Sequence, residues 1–182
     1  MLTSSVYLEK NGNVGTIVLN RPEVRNAIDG ETAKQLAAVV REFLLDDSLK
    51  VGVLWGKGTF CAGADLKAIR NGTGCELTDD GDGPLGPTRI DLTKPIIAAV
   101  SGPAVAGGLE LAIWCDLRVV EESAYFGVFC RNWGVPLIDG GTGTGLFHQF
   151  SCNMPMLLLL LLVDSILRVT PVFCMIQFGC LD

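Results

Sequence analysis

Two short apolar runs open the chain, Val6 to Glu9 and Val14 to Leu19, set around Asn11-Gly12-Asn13. Strand-forming residues flanking an Asn-Gly signal predict a β-hairpin. Asn20-Arg21-Pro22 ends the second run, and the period then changes. Ala33, Leu36, Ala37, Val40 and Phe43-Leu44 recur at helical spacing, with Lys34, Arg41 and Glu42 mostly opposite. Asp29 stands where an N-cap belongs. Val51 to Trp55 predicts a buried strand, cut off by Gly56-Lys57-Gly58. Phe60 to Lys67 predicts a strand-to-helix turn built of small residues. Asn71 to Pro87 is rich in Gly, Asp and Pro and predicts a mobile loop. Ile96 to Val100, bounded by Pro95 and Ser101-Gly102-Pro103, predicts a second buried strand. A loop of small residues leads to Gly107-Gly108, where Leu109, Leu111, Ala112, Ile113 and Trp114 continue as an almost wholly apolar helix. Leu117 to Val120 and Ala124 to Gly127 predict two more short strands. Strand–strand–helix units thus recur without a sequence repeat, which makes this an α/β chain.

One position breaks the apolar pattern of the central helix. Glu110 falls in its first turn, just behind the glycine pair. A glycine pair opening a helix leaves free N–H groups with no side chain barring approach, and the helix dipole adds partial positive charge there. Donors for an oxyanion beside a carboxylate are the two parts that acid–base chemistry on an activated carbonyl needs. A glutamate in a first turn also serves simply to answer the dipole. This stretch alone leaves both readings open.

Composition narrows the classes. The 182-residue chain is long enough for one domain with a sizeable core, and its net charge of −6 gives no basic footprint for nucleic acid. A single histidine, His148, leaves little from which to build a Ser-His-Asp triad or a His-rich centre, so no metal site is expected. The seven cysteines include no Cys-x-x-Cys pair, which suits reduced thiols in an intracellular protein. The N-terminus lacks the basic flank, long apolar run or arginines of a targeting segment, so the expected location is cytoplasmic. A mitochondrial location would need a segment ahead of Met1.

Three separated motifs carry a resemblance. They are Leu19-Asn-Arg-Pro-Glu-Val-Arg-Asn-Ala-Ile28, then Phe60-Cys-Ala-Gly-Ala-Asp-Leu66, then Lys94-Pro-Ile-Ile-Ala-Ala-Val-Ser-Gly102 running into Ala106-Gly-Gly-Leu-Glu-Leu-Ala112 and Cys115-Asp116. Their order and spacing, from about Val6 to Thr142, resemble the enoyl-CoA hydratase/isomerase (crotonase) superfamily. The resemblance implies a crotonase-type spiral of ββα units and an acyl-CoA thioester as substrate, with no further cofactor. It implies that the backbone N–H groups of Ala64 and Gly107 hold an enolate oxyanion. By the same resemblance Arg25, Ala62, Asp65 and Leu66 line the CoA arm, and Glu110 matches the first of two catalytic glutamates of the hydratases. Arg25 and Asp65 equally suit a surface charge and a helix cap.

The second glutamate is replaced. In the family it follows a Phe-Gly at a fixed step, and here the matching position after Phe126-Gly127 is Cys130. A thiol titrates near about pH 8.5 and is no like-for-like acid at neutrality. Asp139, just ahead of Gly140-Gly141-Thr142, offers another carboxylate, near the place where dienoyl-CoA isomerases of the superfamily carry a catalytic Asp. Asp before Gly also caps turns.

After Thr142 the resemblance stops. The sequence reads into six leucines, Leu157 to Leu162, in place of the helices that close the acyl pocket and build a trimer or hexamer in the family. The apolar run Met156 to Val163 is too short to span a bilayer. The expected organisation is a catalytic core over residues 1–142, incomplete at its C-terminal end, followed by an atypical leucine-rich tail over 143–182. The leading expectation is an enoyl-CoA hydratase/isomerase-type enzyme with Glu110 and Asp139 as its carboxylates. The alternative is a truncated, non-catalytic relative that only binds CoA or mixes with full-length subunits.

Overall fold

A computed structural model describes residues 4–140, so the tail, His148 and Thr142 lie outside the described residues. Strands β1 (Val6–Asn11) and β2 (Val14–Leu19) form the hairpin, with Asn11 opposite Val14 and Gly12 at φ 57° in the turn. A positive φ there is what the Asn-Gly signal anticipates. Helix α1 (Gly30–Leu45) follows, capped by the Asp29 side chain, which accepts the Thr32 N–H at 2.8 Å. Next come β3 (Val51–Gly56), α2 (Leu66–Arg70), β4 (Ile96–Val100), β5 (Pro103–Val105), α3 (Gly107–Trp114), β6 (Leu117–Val120) and β7 (Tyr125–Gly127).

The main sheet has the order β1-β2-β3-β4-β6, parallel from β2 onward. A second, thinner layer runs beside it. There β5 pairs with β7, Cys61 bridges to Ala104, and Ala64 bridges to Ile28, all parallel. Each turn of the spiral therefore contributes a strand to the main sheet, a short extended piece to the second layer, and then a helix or helical turn. Parallel order requires such crossovers.

Helix α1 docks through one aromatic ring. Gly15 and Gly52 are register partners on β2 and β3. A Cβ at Gly15 would stand 2.9 Å from the Phe43 ring, and one at Gly52 would stand 3.0 Å from it. The glycine pair is the seat for Phe43. Lys94 then closes the helix C-terminus, donating to the carbonyls of Phe43 at 3.1 Å and Asp46 at 2.7 Å, with its ammonium 5.4 Å from the Phe43 ring centre.

Three expectations are corrected. The Ser101–Ala106 segment, read as loop, contains β5, whose Pro-Ala-Val sequence carries little strand signal and which exists because it pairs with β7. The β3 strand alternates: Leu54 is fully buried while Trp55 lies at the surface, so only one face of it is core. The 71–87 segment is irregular, as its composition predicts, but residues 83–88 are all buried. Leu85 lies in the core, and a Cβ on Gly86 (φ 101°) would strike the Ala33 carbonyl of α1. Ion pairs Lys34–Glu76 and Arg41–Asp82 also tie this segment to α1. Among the described residues no helix is long and apolar enough to cross a membrane.

The Phe43 seat yields a prediction. Gly52→Val places two methyls where the ring lies, and overpacking of this kind costs about 1–3 kcal/mol. Thermal unfolding monitored by circular dichroism should show a lower midpoint. An unchanged midpoint would mean that Phe43 has another resting place.

Candidate active site

The first motif is a clamp. Arg25 and Asn26 both adopt positive φ, 54° and 53°. Buried Asn26 sustains the turn by accepting the Arg21 N–H at 2.8 Å and donating to the carbonyls of Thr59 at 2.5 Å and Lys57 at 3.2 Å. Arg21 reaches across the same turn. Its guanidinium donates to the Ala27 carbonyl at 2.5 Å and pairs with Asp29 at 3.0 Å and Asp65 at 3.3 Å. Both carboxylates are N-caps: Asp29 of α1, and Asp65 of α2 through the N–H groups of Lys67 and Ala68. One arginine thus joins the starts of two helices.

Ala64 sits between these anchors. The Ile28 N–H donates to the Gly63 carbonyl and the Asp65 N–H to the Ile28 carbonyl, both at 2.8 Å. Gly63 at φ 86° brings the turn against α3, with its hydrogen-side 2.8 Å from the Gly107 nitrogen for any added Cβ. Among the described residues, neither the Ala64 N–H nor the Gly107 N–H is spent on a backbone acceptor. Gly108 packs directly on the Cys61 carbonyl, which a side chain would strike. The turn that carries Ala64 and the start of α3 are thereby brought together by glycine contacts.

Helix α3 is buried along its whole length, and Glu110 has no exposed surface. Its Oε2 accepts the backbone N–H of Asp139 at 2.9 Å. Asp139 is 8% exposed, and its carbonyl accepts the Thr88 hydroxyl. The two carboxylate residues, 29 positions apart, therefore meet. Burial first, and the Glu110 charge second, push the Asp139 carboxyl up to about 7. Such a group gives and takes protons near neutrality.

A cavity of about 640 Å³ opens beside this pair. Arg25, Ala62, Ala64, Asp65, Leu66 and Asp139 all line it. Gly107 and Glu110 are not on its wall. Glu110 lies behind Asp139, and Gly107 lies under it, close enough that a side chain would collide with Asp139 Oδ2 and Leu85. Cys130 also faces the cavity, and burial pushes its thiol up, with Asp139 and Glu110 adding to the shift. It stays a neutral thiol at physiological pH. Cys75, Leu77, Pro84, Phe129, Trp133 and Ile138 are among the apolar residues of the wall. Sequence reading passed over them, although Leu77 is an isolated apolar residue in a polar stretch and Pro84 adjoins the apolar Leu85. Thr88 gave no sequence signal.

A strand spiral with this site defines a class that comparison with known proteins makes explicit. Residues 9–149 match the family model described as enoyl-CoA hydratase/isomerase, and the chain belongs to that family. It is 37% identical to the enoyl-CoA hydratase EchA19 of Mycobacterium tuberculosis over 162 residues, covering 84% of this chain and 59% of that protein. It is 40% identical to (E)-benzylidenesuccinyl-CoA hydratase of Thauera aromatica over 128 residues, covering 68% of this chain and 49% of the other. The crystal structure of a carnitinyl-CoA hydratase from Mycobacterium avium superposes with a TM-score of 0.72 at 36% identity, covering 88% of this chain and 61% of that one. The chain spans about half the length of the curated relatives it matches.

Two predictions come from this geometry. Gly107→Val should displace Asp139 and Leu85 together, so a folded variant should lose most affinity for acyl-CoA or most turnover. Retention of both, measured by calorimetric titration and by assay, would remove Gly107 from the site. The second concerns pH. A carboxyl lifted from 3.8 to about 7 by folding binds its proton more tightly in the folded protein, so stability should decline as pH rises from about 4 to about 7. Asp139→Asn should flatten that slope in urea titrations. An equal slope in the variant would show that Asp139 is not the group responsible.

Proposed function

We propose that the chain carries an acyl-CoA site of the enoyl-CoA hydratase/isomerase type, in which Asp139 and Glu110 act as one acid–base unit. The observation that supports this reading is the shared cavity. Asp139, Ala64 and the four residues assigned to the CoA arm face one space, with Glu110 a single hydrogen bond behind Asp139. The enolate oxygen takes the negative charge and is assigned to the Ala64 N–H at the cavity wall, with the Gly107 N–H, set back from that wall, as second donor. Asp139 exchanges the proton at the acyl carbon next to the thioester. Burial, with the Glu110 charge added, keeps Asp139 near the neutral range, and Glu110 holds its main chain in place. Hydration and double-bond movement share that protonation step. They differ in whether water adds at the next carbon or a second proton leaves elsewhere.

Arg25 lies at the exposed side of the cavity, where its cation suits the phosphates of CoA. Asp65 has the structural task of capping α2, and it borders the ligand with its backbone. The substrate is an acyl-CoA thioester, and the reading requires no further cofactor. A homotrimer or hexamer and a cytoplasmic location belong to the same proposal.

The experiment follows the absorbance of a conjugated enoyl thioester, with product analysis for added water or a shifted double bond. Asp139→Asn and Glu110→Gln should each lower turnover by about 10²–10⁴-fold while acyl-CoA binding persists. Cys130→Ala should leave turnover within about threefold, since a buried neutral thiol behaves as a small apolar group. Full activity in Asp139→Asn would remove it from the mechanism. A strong loss in Cys130→Ala would transfer the role to the thiol.

A further inference from the structure

We propose that Thr88 is the positioning residue for Asp139, holding its peptide from the side opposite to Glu110. This rests on the acid–base role given above to Asp139. The Asp139 backbone is held on both sides of its Cα. Its N–H donates to Glu110 Oε2 at 2.9 Å, and its carbonyl accepts the Thr88 hydroxyl. Neither grip uses the carboxyl, and Asp139 lines the cavity.

The base that holds Thr88 is itself rigid. Thr88 has no exposed surface and lies in a helical turn, Pro87–Arg89, preceded by buried residues 83–86. The Gly86 N–H donates to the Gly83 carbonyl and the Ile90 N–H to the Pro87 carbonyl, both at 2.8 Å. Gly86 rests against the Ala33 carbonyl of α1, and Leu85 rests against Gly107 of α3. The segment is wedged between the two helices, and Thr88 is its point of contact with Asp139. Gly83 lies so close to the Thr88 hydroxyl that a Cβ there would occupy the hydroxyl's place. Gly140, at φ 88°, turns the chain away just beyond Asp139, with its own hydrogen-side 3.0 Å from Thr88 Oγ1 for an added Cβ. An Asp-Gly turn that would otherwise have many conformations is thus set by a hydroxyl from a segment 51 residues earlier.

The test reads Asp139 directly in the 182-residue protein without substrate, so it does not depend on turnover. The titratable groups around the Asp139 carboxyl are Glu110, Cys61, Cys75 and Cys130. The Asp139 amide proton and side-chain carboxyl carbon are assigned by NMR with Asp139→Asn as reference. They are followed across pH in wild type, Thr88→Val, Thr88→Ser and Gly83→Ala. Thr88→Val keeps the shape and removes the donor, Thr88→Ser keeps the donor, and Gly83→Ala displaces the donor without altering it.

The proposal expects the Asp139 amide to move upfield in Thr88→Val and Gly83→Ala, and the carboxyl midpoint to drop toward the ordinary carboxylate range. Thr88→Ser should match wild type. In an enoyl-CoA assay the two disruptive variants should lose about 10–100-fold in kcat with little change in KM, as a misplacement near 1 Å would cause. Wild-type signals in a folded Thr88→Val protein overturn the proposal. If that variant does not fold, wild-type signals in Gly83→Ala do the same. Shifted signals with unchanged turnover uphold the positioning and overturn the acid–base role of Asp139.

Discussion

Burial of the Glu110 carboxylate is the constraint on which the site depends. A charged or protonatable group without exposed surface must be met by hydrogen-bond donors, because the desolvation it suffers is otherwise uncompensated. The Asp139 N–H meets it at 2.9 Å. That bond requires the 138–140 segment to pass directly over α3, and so brings a second carboxylate beside the first. Two carboxylates in a water-poor place disfavour joint ionisation. The raised proton affinity of Asp139 is the chemical result of a packing requirement.

The surroundings are arranged so that the main chain can come this close. Gly108 lets α3 lie on the Cys61 carbonyl, and Gly107 leaves the volume that Asp139 and Leu85 occupy. Gly63 turns the neighbouring segment against the same helix end. On the far side, Arg21 ties Asp29 to Asp65 and so fixes where α2 begins, one residue after the turn that carries Ala64. The turn carrying Ala64 lies against the start of α3 because of these contacts. A methyl at any of the three glycines would push these packed segments apart.

The motifs were readable because each is a local necessity. Asn26 must accept and donate around a left-handed turn, Asp29 and Asp65 must cap helices, and Gly107-Gly108 must admit a neighbouring chain. Such needs leave residues of a fixed type at fixed steps. The 71–87 segment is legible only in part, for the converse reason. Its Gly and Pro content describes how the backbone bends and says nothing of what it bends against, so the burial of Leu85 in the core is not legible there. The β5 strand was missed likewise, since its stability comes from the β7 edge.

Local patterning by itself determined the hairpin, the α1 cap and its apolar stripe, the β4 and β6 strands, and a carboxylate placed behind a glycine pair. All of these depend on contacts within a few residues along the chain. Only the tertiary structure decided that Asp139, read equally well as a turn cap, lies against Glu110 and lines the cavity while Glu110 sits behind it. It also decided that Cys130 lines that wall, where burial pushes its thiol further up. Those outcomes rest on burial and on charges 9 to 29 residues apart, and depth and proximity of that kind arise only when the layers close.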